Sequence, residues 1–226
     1  MVETRRQQIE NAASEMFRER GYAATSVRDI ARALDMQGAS LYAHVASKED
    51  MLWSIVTRAA DRFDDAVAPI AADTGIPLPG RLAAMIRAHI RVVTDDLGNA
   101  ASFLYEWRFL SDERRTDVAR RRDAYEALYR DVIQQAVAEG VFEAGTDPHL
   151  AAILVLSALN GVAVWYRADG ELSPDQIGDR LAGLFLDGLR TREPLAELPA
   201  PAAPGAQLAT DPPARRTPSE MERILR

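Results

Sequence analysis

From Ile9 to Leu189 apolar residues return every three or four positions, and no segment alternates apolar with polar at every second residue. The first spacing is that of a helix turn; the second, which a half-buried strand requires, is missing. A core can then form in one way, helix against helix, and the expected fold class is all-α.

Ile9, Ala12, Ala13, Met16 and Phe17 make one stripe on a first helix over residues 4–20, closed by Gly21. Ser26, with Asp29 three residues on, has the capping-box spacing that opens a short second helix carrying Val27, Ile30, Ala31 and Leu34. Asp35, Met36 and Gln37 form a tight turn into a third helix over 38–45, with Leu41 and Val45 inward. Ser47, with Asp50, caps a fourth helix running to about Val67, where Pro69 and the Gly75–Pro79 cluster break the pattern. Further helices are expected over 80–96, 101–110, 112–139, 148–168 and 174–190. The organisation expected is a three-helix head at 1–60, a larger helical body at 61–192 and a tail at 193–226. Seven of the twelve prolines lie between Pro194 and Pro218, so the tail is expected to be disordered, save for an alternative short helix in its last ten residues.

Composition narrows the chemistry. The 226 residues are 47% apolar, enough for a sizeable core, and the net charge of −7 makes the whole chain no general attractant for nucleic acid. With no cysteine there is neither a disulfide framework nor a thiolate metal site, and His44, His89 and His149 are too scattered to suggest a metal cluster. No nucleophile–base pair, glycine-rich phosphate loop or metal-ligand spacing stands out, so neither an enzyme nor a cofactor is expected. The start of the chain lacks the apolar segment of a signal peptide, and no run of about 18 uninterrupted apolar residues suggests a membrane span. A soluble, cytoplasmic protein is expected.

Two short helices joined by a three-residue turn and braced by a longer one describe a DNA-reading helix-turn-helix. The outward face of the third helix carries Gln37, Ala39, Ser40, Ala43 and His44, small or hydrogen-bonding residues that fit a major groove about 12 Å wide. Lys48, the only lysine beside 26 arginines, falls in the first turn of the fourth helix, where the helix dipole disfavours a cation. A docked phosphate would reverse that sign; screening by Glu49 or Asp50 is the plainer alternative.

The stretches TSVRDIA (25–31) and LYAHVASKEDML (41–52) resemble the N-terminal signature of TetR-family transcriptional regulators over about residues 5–55. The resemblance implies DNA contacts from Arg28, from the turn and third-helix residues Gln37, Gly38, Ala39 and Ser40, and from Tyr42, His44 and Lys48. The usual turn glycine is Asp35 here, and Gln37 stands where a Ser or Thr cap is usual. Residues 1–50 hold seven cations and eight acids. Binding must therefore come from placement, with Arg5 and Arg6 as a mobile arm and Arg28 and Lys48 at phosphates, and the salt dependence should be modest.

One head reads one half-site, so the body is expected to make a homodimer on a palindromic operator in double-stranded DNA. Small residues interleaved with large apolar ones on the last two helices, among them Leu154, Ala158, Gly161, Leu181, Leu184 and Phe185, suit close helix packing. Internal core packing would use the same pattern; the resemblance favours the dimer. Phe103, Trp107 and Arg108, with His89, Tyr125, Tyr129, Asn160 and Trp165, are the candidates for a small-molecule effector site. FLYEWRFL (103–110) and WYRADGELSP (165–174) resemble the acyl-CoA-sensing subgroup, repressors of fatty-acid and sterol degradation. That resemblance implies a repressor released by a lipophilic effector such as an acyl-CoA thioester. Arg120, Arg121 and Arg122 then have two readings, contacts to CoA phosphates or a solvated charge run. Control by a protein partner, with the cavity filled by side chains, is the alternative function.

Overall fold

Thr4 opens the first helix. Its hydroxyl accepts from the Gln7 amide at 3.2 Å while the Gln7 side-chain oxygen accepts from the Thr4 amide at 2.8 Å, a capping box that starts α1 (Arg5–Arg20). The computed structural model describes residues 4–189, and no strand occurs among them. The tail at 193–226 and the expected helix end at Arg190 lie outside the described residues. After α1 come α2 (Val27–Ala33), α3 (Gly38–Tyr42), α4 (Lys48–Ala72), α5 (Leu78–Asp95), α6 (Leu97–Tyr105), a 3-10 helix (Glu106–Phe109), α7 (Asp112–Ala138), α8 (Pro148–Trp165) and α9 (Pro174–Leu189).

Five boundaries differ from the expected ones, among them the end of α8, which stops at Trp165 and not at 168. The third helix stops at Tyr42, beyond which the His44 amide takes a tighter, three-residue bond to the Leu41 carbonyl. Pro69 does not end α4, which continues to Ala72. A proline removes one helix bond, to the carbonyl four residues back, and here that residue is the solvent-exposed Asp65. α5 starts at Leu78, ahead of Gly80, since Pro79 sits in its first turn, where no donor is needed. The expected helix over 101–110 is two elements, α6 and the 3-10 helix, which re-aims Glu106, Trp107 and Phe109.

One core runs from head to body. Ile9, Phe17, Ile30 and Leu41 are fully buried in the head, and Leu82, Ile86, Tyr129 and Leu159 in the body. α4 is continuous through both, contributing Met51, Leu52 and Ile55 at one end and Phe63 and Val67 at the other. α6 presses on α1 at Gly98, where a Cβ would stand 2.9 Å from Ser14 Oγ and 3.1 Å from the Glu15 amide nitrogen. Only glycine permits that approach. Beside it, the buried Glu10 carboxylate pairs with Arg6 and Arg58 at 2.8 Å each, and Arg58 also reaches Asn99 of α6 at 3.2 Å.

Candidate nucleic-acid interface and ligand cavity

Asp35 takes φ +51° in the turn between α2 and α3, a conformation its short side chain tolerates. α3 starts without a side-chain cap from Gln37. The side chains of Gln37, Ala39, Ser40, Tyr42 and His44 are exposed along this element, Gly38 is half-buried, and Arg28 of α2 is exposed near the same edge. Leu41 and Val45 point the other way, into the core. The surface offered is small and hydrogen-bonding, with Tyr42 standing out at 56% exposure.

Arg5 and Arg6 do not form a mobile arm. The capping box at Thr4 makes Arg5 the first residue of α1; its guanidinium donates to Gln8 at 2.8 Å, and Arg6 is held by Glu10.

Lys48 is turned inward more than its position at a helix start suggests. Its ammonium donates to the carbonyls of Tyr22 and Thr25 at 2.8 and 2.9 Å and lies 4.0 Å from the Tyr22 ring centroid. Two of its three N–H donors are thus spent on the loop before α2, and partial burial lowers its pKa. A compact ammonium can meet two converging carbonyls and a ring face together, where a planar guanidinium fits poorly. Lysine is suited to this site whether or not a phosphate also arrives.

The same loop is tied to the body. The Tyr22 amide donates to Glu106 Oε2 at 3.0 Å, and the Tyr22 ring stacks on Phe109 with centroids 5.3 Å apart. Glu49, next to Lys48, accepts from the Ser111 amide at 3.0 Å and from Arg114 at 3.2 Å, while Asp50 takes the other arm of Arg114. The Ser111 amide first, with Arg114 adding, holds the Glu49 carboxyl below the usual carboxylate range; for Asp50 the Arg114 bond is the main cause.

Between α4, α5, α6, α7 and α8 lies a cavity of about 40 Å³. His89, Phe103, Tyr125 and Asn160, expected as effector contacts, all line it; Phe63, Leu104, Arg122 and Leu156 complete the wall. His89 is 1% exposed, its Nδ1 lies 3.0 Å from the Tyr125 hydroxyl, and its Nε2 has no hydrogen-bond partner of good geometry. Burial drives its pKa down to about 3, opposed by the Asn160 amide, so the ring is neutral. Arg122 folds inward against Phe103 and Trp107, 5.5 Å from each ring, and its guanidinium donates one long bond, 3.4 Å, to the Phe103 carbonyl. Burial, and then repulsion by Arg108, lower its pKa.

The remaining effector candidates stand elsewhere. Tyr129 is fully buried, but its hydroxyl donates to the Met85 carbonyl at 3.2 Å and it is not part of the cavity wall. Trp165 is 55% exposed at the end of α8. Trp107 packs against the core beside the cavity with its indole N–H unpartnered, and Arg108 lies over it on the outer surface. The arginine run divides three ways: Arg120 pairs with Asp117, Arg121 with Asp61, and Arg122 turns in. The inward turn of Arg122 was readable in part, since it shares a helix face with Tyr125 and Tyr129. Phe63 gave no such signal, being one of several apolar residues on α4.

Leu150, Ile153, Leu154, Val164 and Trp165 of α8, and Leu184 of α9, are exposed. Ala158, Gly161, Leu181 and Phe185 are half-buried beside them, the last two against the core. α8 is long and apolar enough by composition to cross a bilayer, yet Ala152, Val155, Leu159 and Val162 pack one side of it into the body, and its apolar excess is this outward stripe.

The profile of bacterial regulatory proteins of the tetR family matches residues 9–55, and that of tetracyclin repressor-like C-terminal domains matches residues 77–189. The HTH-type transcriptional repressor KstR2 of Mycobacterium tuberculosis is 29% identical over 189 residues, covering 83% of this chain and 94% of the relative. The solved structure of that ketosteroid transcriptional regulator aligns with a TM-score of 0.79 at 28% identity, over 85% of this chain and 98% of the other. AibR, solved in complex with isovaleryl coenzyme A and operator DNA, aligns at 0.71 and 30% over 80% and 97%. PfmR from Thermus thermophilus aligns at 0.73 and 32% over 81% and 99%.

Proposed function

Because the chain belongs to the tetR family of bacterial regulatory proteins, and so is a DNA-binding transcriptional regulator and not an enzyme, we propose that it acts as a homodimeric repressor released from a palindromic operator by a CoA thioester. Residues 1–60 serve as the reading head and 61–192 as the sensing and pairing body. Gln37, Ala39, Ser40, Tyr42 and His44 meet the major groove. Arg28 and the remaining donor of Lys48 meet phosphates. The outward stripe of α8 and α9, centred on Leu154 and Leu184, is the pairing surface; exposed apolar residues in one row are costly unless a second copy covers them. AibR, whose structure holds isovaleryl coenzyme A, supports the ligand class.

The observation that carries the release mechanism is that α7 both lines the cavity and holds the head, while the 3-10 helix that also holds the head follows directly on α6 of the cavity wall. A small-molecule site usually has several hundred Å³, roughly ten times the hollow present here. Filling it must therefore move α6 and α7 apart. Glu106 and Phe109, on the 3-10 helix that follows α6, hold Tyr22, and Arg114, on the first turn of α7, holds Glu49 and Asp50. Expansion pulls on the loop that Lys48 closes and changes the spacing of the two heads. An effector shifts the equilibrium only by its difference in affinity for the two states, and a closed cavity makes that difference large.

The small volume also favours the alternative of a partner-controlled regulator whose cavity is filled by side chains. The unpaired His89 Nε2 and the inward Arg122 argue for a ligand instead, since both polar groups converge on the same hollow. The test is fluorescence anisotropy on the gene's own promoter fragment, with CoA thioesters of graded length added to the preformed complex. Release at micromolar concentration is expected. No release by any thioester, and no rise in melting temperature, overturns the reading.

A further inference from the structure

The cavity wall is two-sided in chemistry. Phe63, Phe103, Leu104 and Leu156 are apolar, yet His89 and Arg122 bring donors to the same 40 Å³. A site for a plain hydrocarbon would need neither, because an unmatched polar group loses its bonds to water and gains nothing in return. Building on the thioester reading above, we propose that the acyl group this regulator senses carries a hydrogen-bond-accepting oxygen, a ketone or a carboxylate, at its buried end, and that His89 Nε2 and Arg122 select for it.

The assignment of an acceptor follows from the donors. A neutral imidazole has one N–H. His89 Nδ1 lies 3.0 Å from the Tyr125 hydroxyl, and in the tautomer with the hydrogen on Nε2 a donor of a side chain 1% exposed faces the cavity beside the Asn160 amide. Arg122 has donors only and, among the described residues, no carboxylate pairs with it; its bond to the Phe103 carbonyl is long. Trp107, whose ring centroid lies 5.5 Å from that guanidinium, also has a buried N–H without a partner. Arg122 and Trp107, which can only donate, thus have protons to give and too few acceptors, and His89 joins them in the tautomer protonated at Nε2. Asn160, on the facing helix, can supply either sense through its amide. The thioester carbonyl can serve one of these donors; an oxygen in the acyl chain would serve another.

The experiment uses the full chain and three thioesters of one length: octanoyl-CoA, 7-oxooctanoyl-CoA and the mono-CoA thioester of octanedioic acid. Titration calorimetry on wild type should show at least one oxygenated ligand binding about tenfold or more tighter than octanoyl-CoA. His89→Phe, which keeps the ring, and Arg122→Met, which keeps the length, should each bring that ratio to within about twofold. His89→Phe also takes a partner from the buried Tyr125 hydroxyl and should melt a few degrees lower, so octanoyl-CoA affinity held within about twofold of wild type separates lost recognition from lost folding. Equal or tighter binding of octanoyl-CoA to wild type overturns the inference and leaves the thioester reading standing. A preference unmoved by both variants overturns the residue assignment and the inference with it. Binding of none of the three overturns both readings.

Discussion

The Lys48 ammonium caps the Tyr22 carbonyl at 2.8 Å while lying 4.0 Å from the ring of the same residue. One cation thereby fixes both the backbone and the side chain of the loop that joins α1 to α2. Lys48→Ala leaves two carbonyls short of a donor, at a cost of about 1–3 kcal/mol, and should lower the melting temperature of the DNA-free protein by several degrees. It should also weaken binding to specific and random DNA alike. An unchanged melting temperature would leave phosphate contact as the sole role of Lys48; a loss confined to specific DNA would remove that role.

Cutting the ties between cavity and head should separate sensing from release. Arg114→Ala releases Asp50 from α7 and leaves Glu49 held by the Ser111 amide alone, and Glu106→Gln weakens the bond to the Tyr22 amide. The doubly substituted protein should still bind thioester by calorimetry, yet need at least tenfold more of it to leave DNA. Release at the wild-type concentration would show that the signal travels by another route.

His89 sets a pH dependence of stability. Its imidazole titrates near 6.5 when unfolded and at about 3 when folded, so the unfolded chain takes up the proton first. Stability is full above pH 6.5 and falls as pH drops toward 3, by up to about 1.4 kcal/mol per unit. His89→Phe should flatten that part of the curve. Melting temperatures at pH 7.5 and 5 provide the check, and an equal drop in both proteins would exclude His89 as the cause.

The outward stripe should control assembly. Leu184, 67% exposed, replaced by Glu should yield monomers by light scattering and reduce operator affinity at least tenfold, since one head then binds without its partner. A dimer that survives both Leu184→Glu and Leu154→Arg would place pairing on another face.

Gln37→Ala and Ser40→Ala should relax base preference, at about 1–3 kcal/mol per lost base contact, while leaving affinity for random DNA within about twofold. Binding to a library of single-base operator variants measures this directly. A parallel fall for all sequences would reassign both residues to the backbone.

The head was more legible than the body, for a physical reason. Ser26 with Asp29, and Ser47 with Asp50, are local signals: each cap bonds within three residues, and the bonds occur at 3.2 and 3.0 Å. The cavity depends on contacts between residues far apart in sequence. His89 and Tyr125 share a bond across 36 positions, and nothing near Phe63 marks it as part of the same wall. Lys48 was legible as an anomaly and misleading as to cause, because the carbonyls it caps lie 23 and 26 residues earlier. Arg5 and Arg6 misled in the other direction: a two-residue basic start looks like a loose arm until Thr4 is seen to cap it.

The smallness of the hollow at His89 also fixes the alarm level of this sensor. An occupant can be held only by the fraction of molecules that have already parted their helices, so the concentration at which it registers exceeds the open form's own dissociation constant by the inverse of that fraction. Trimming Leu156 to alanine would widen the resting space and make the same protein respond to scarcer signals, at the expense of a less firmly closed off state.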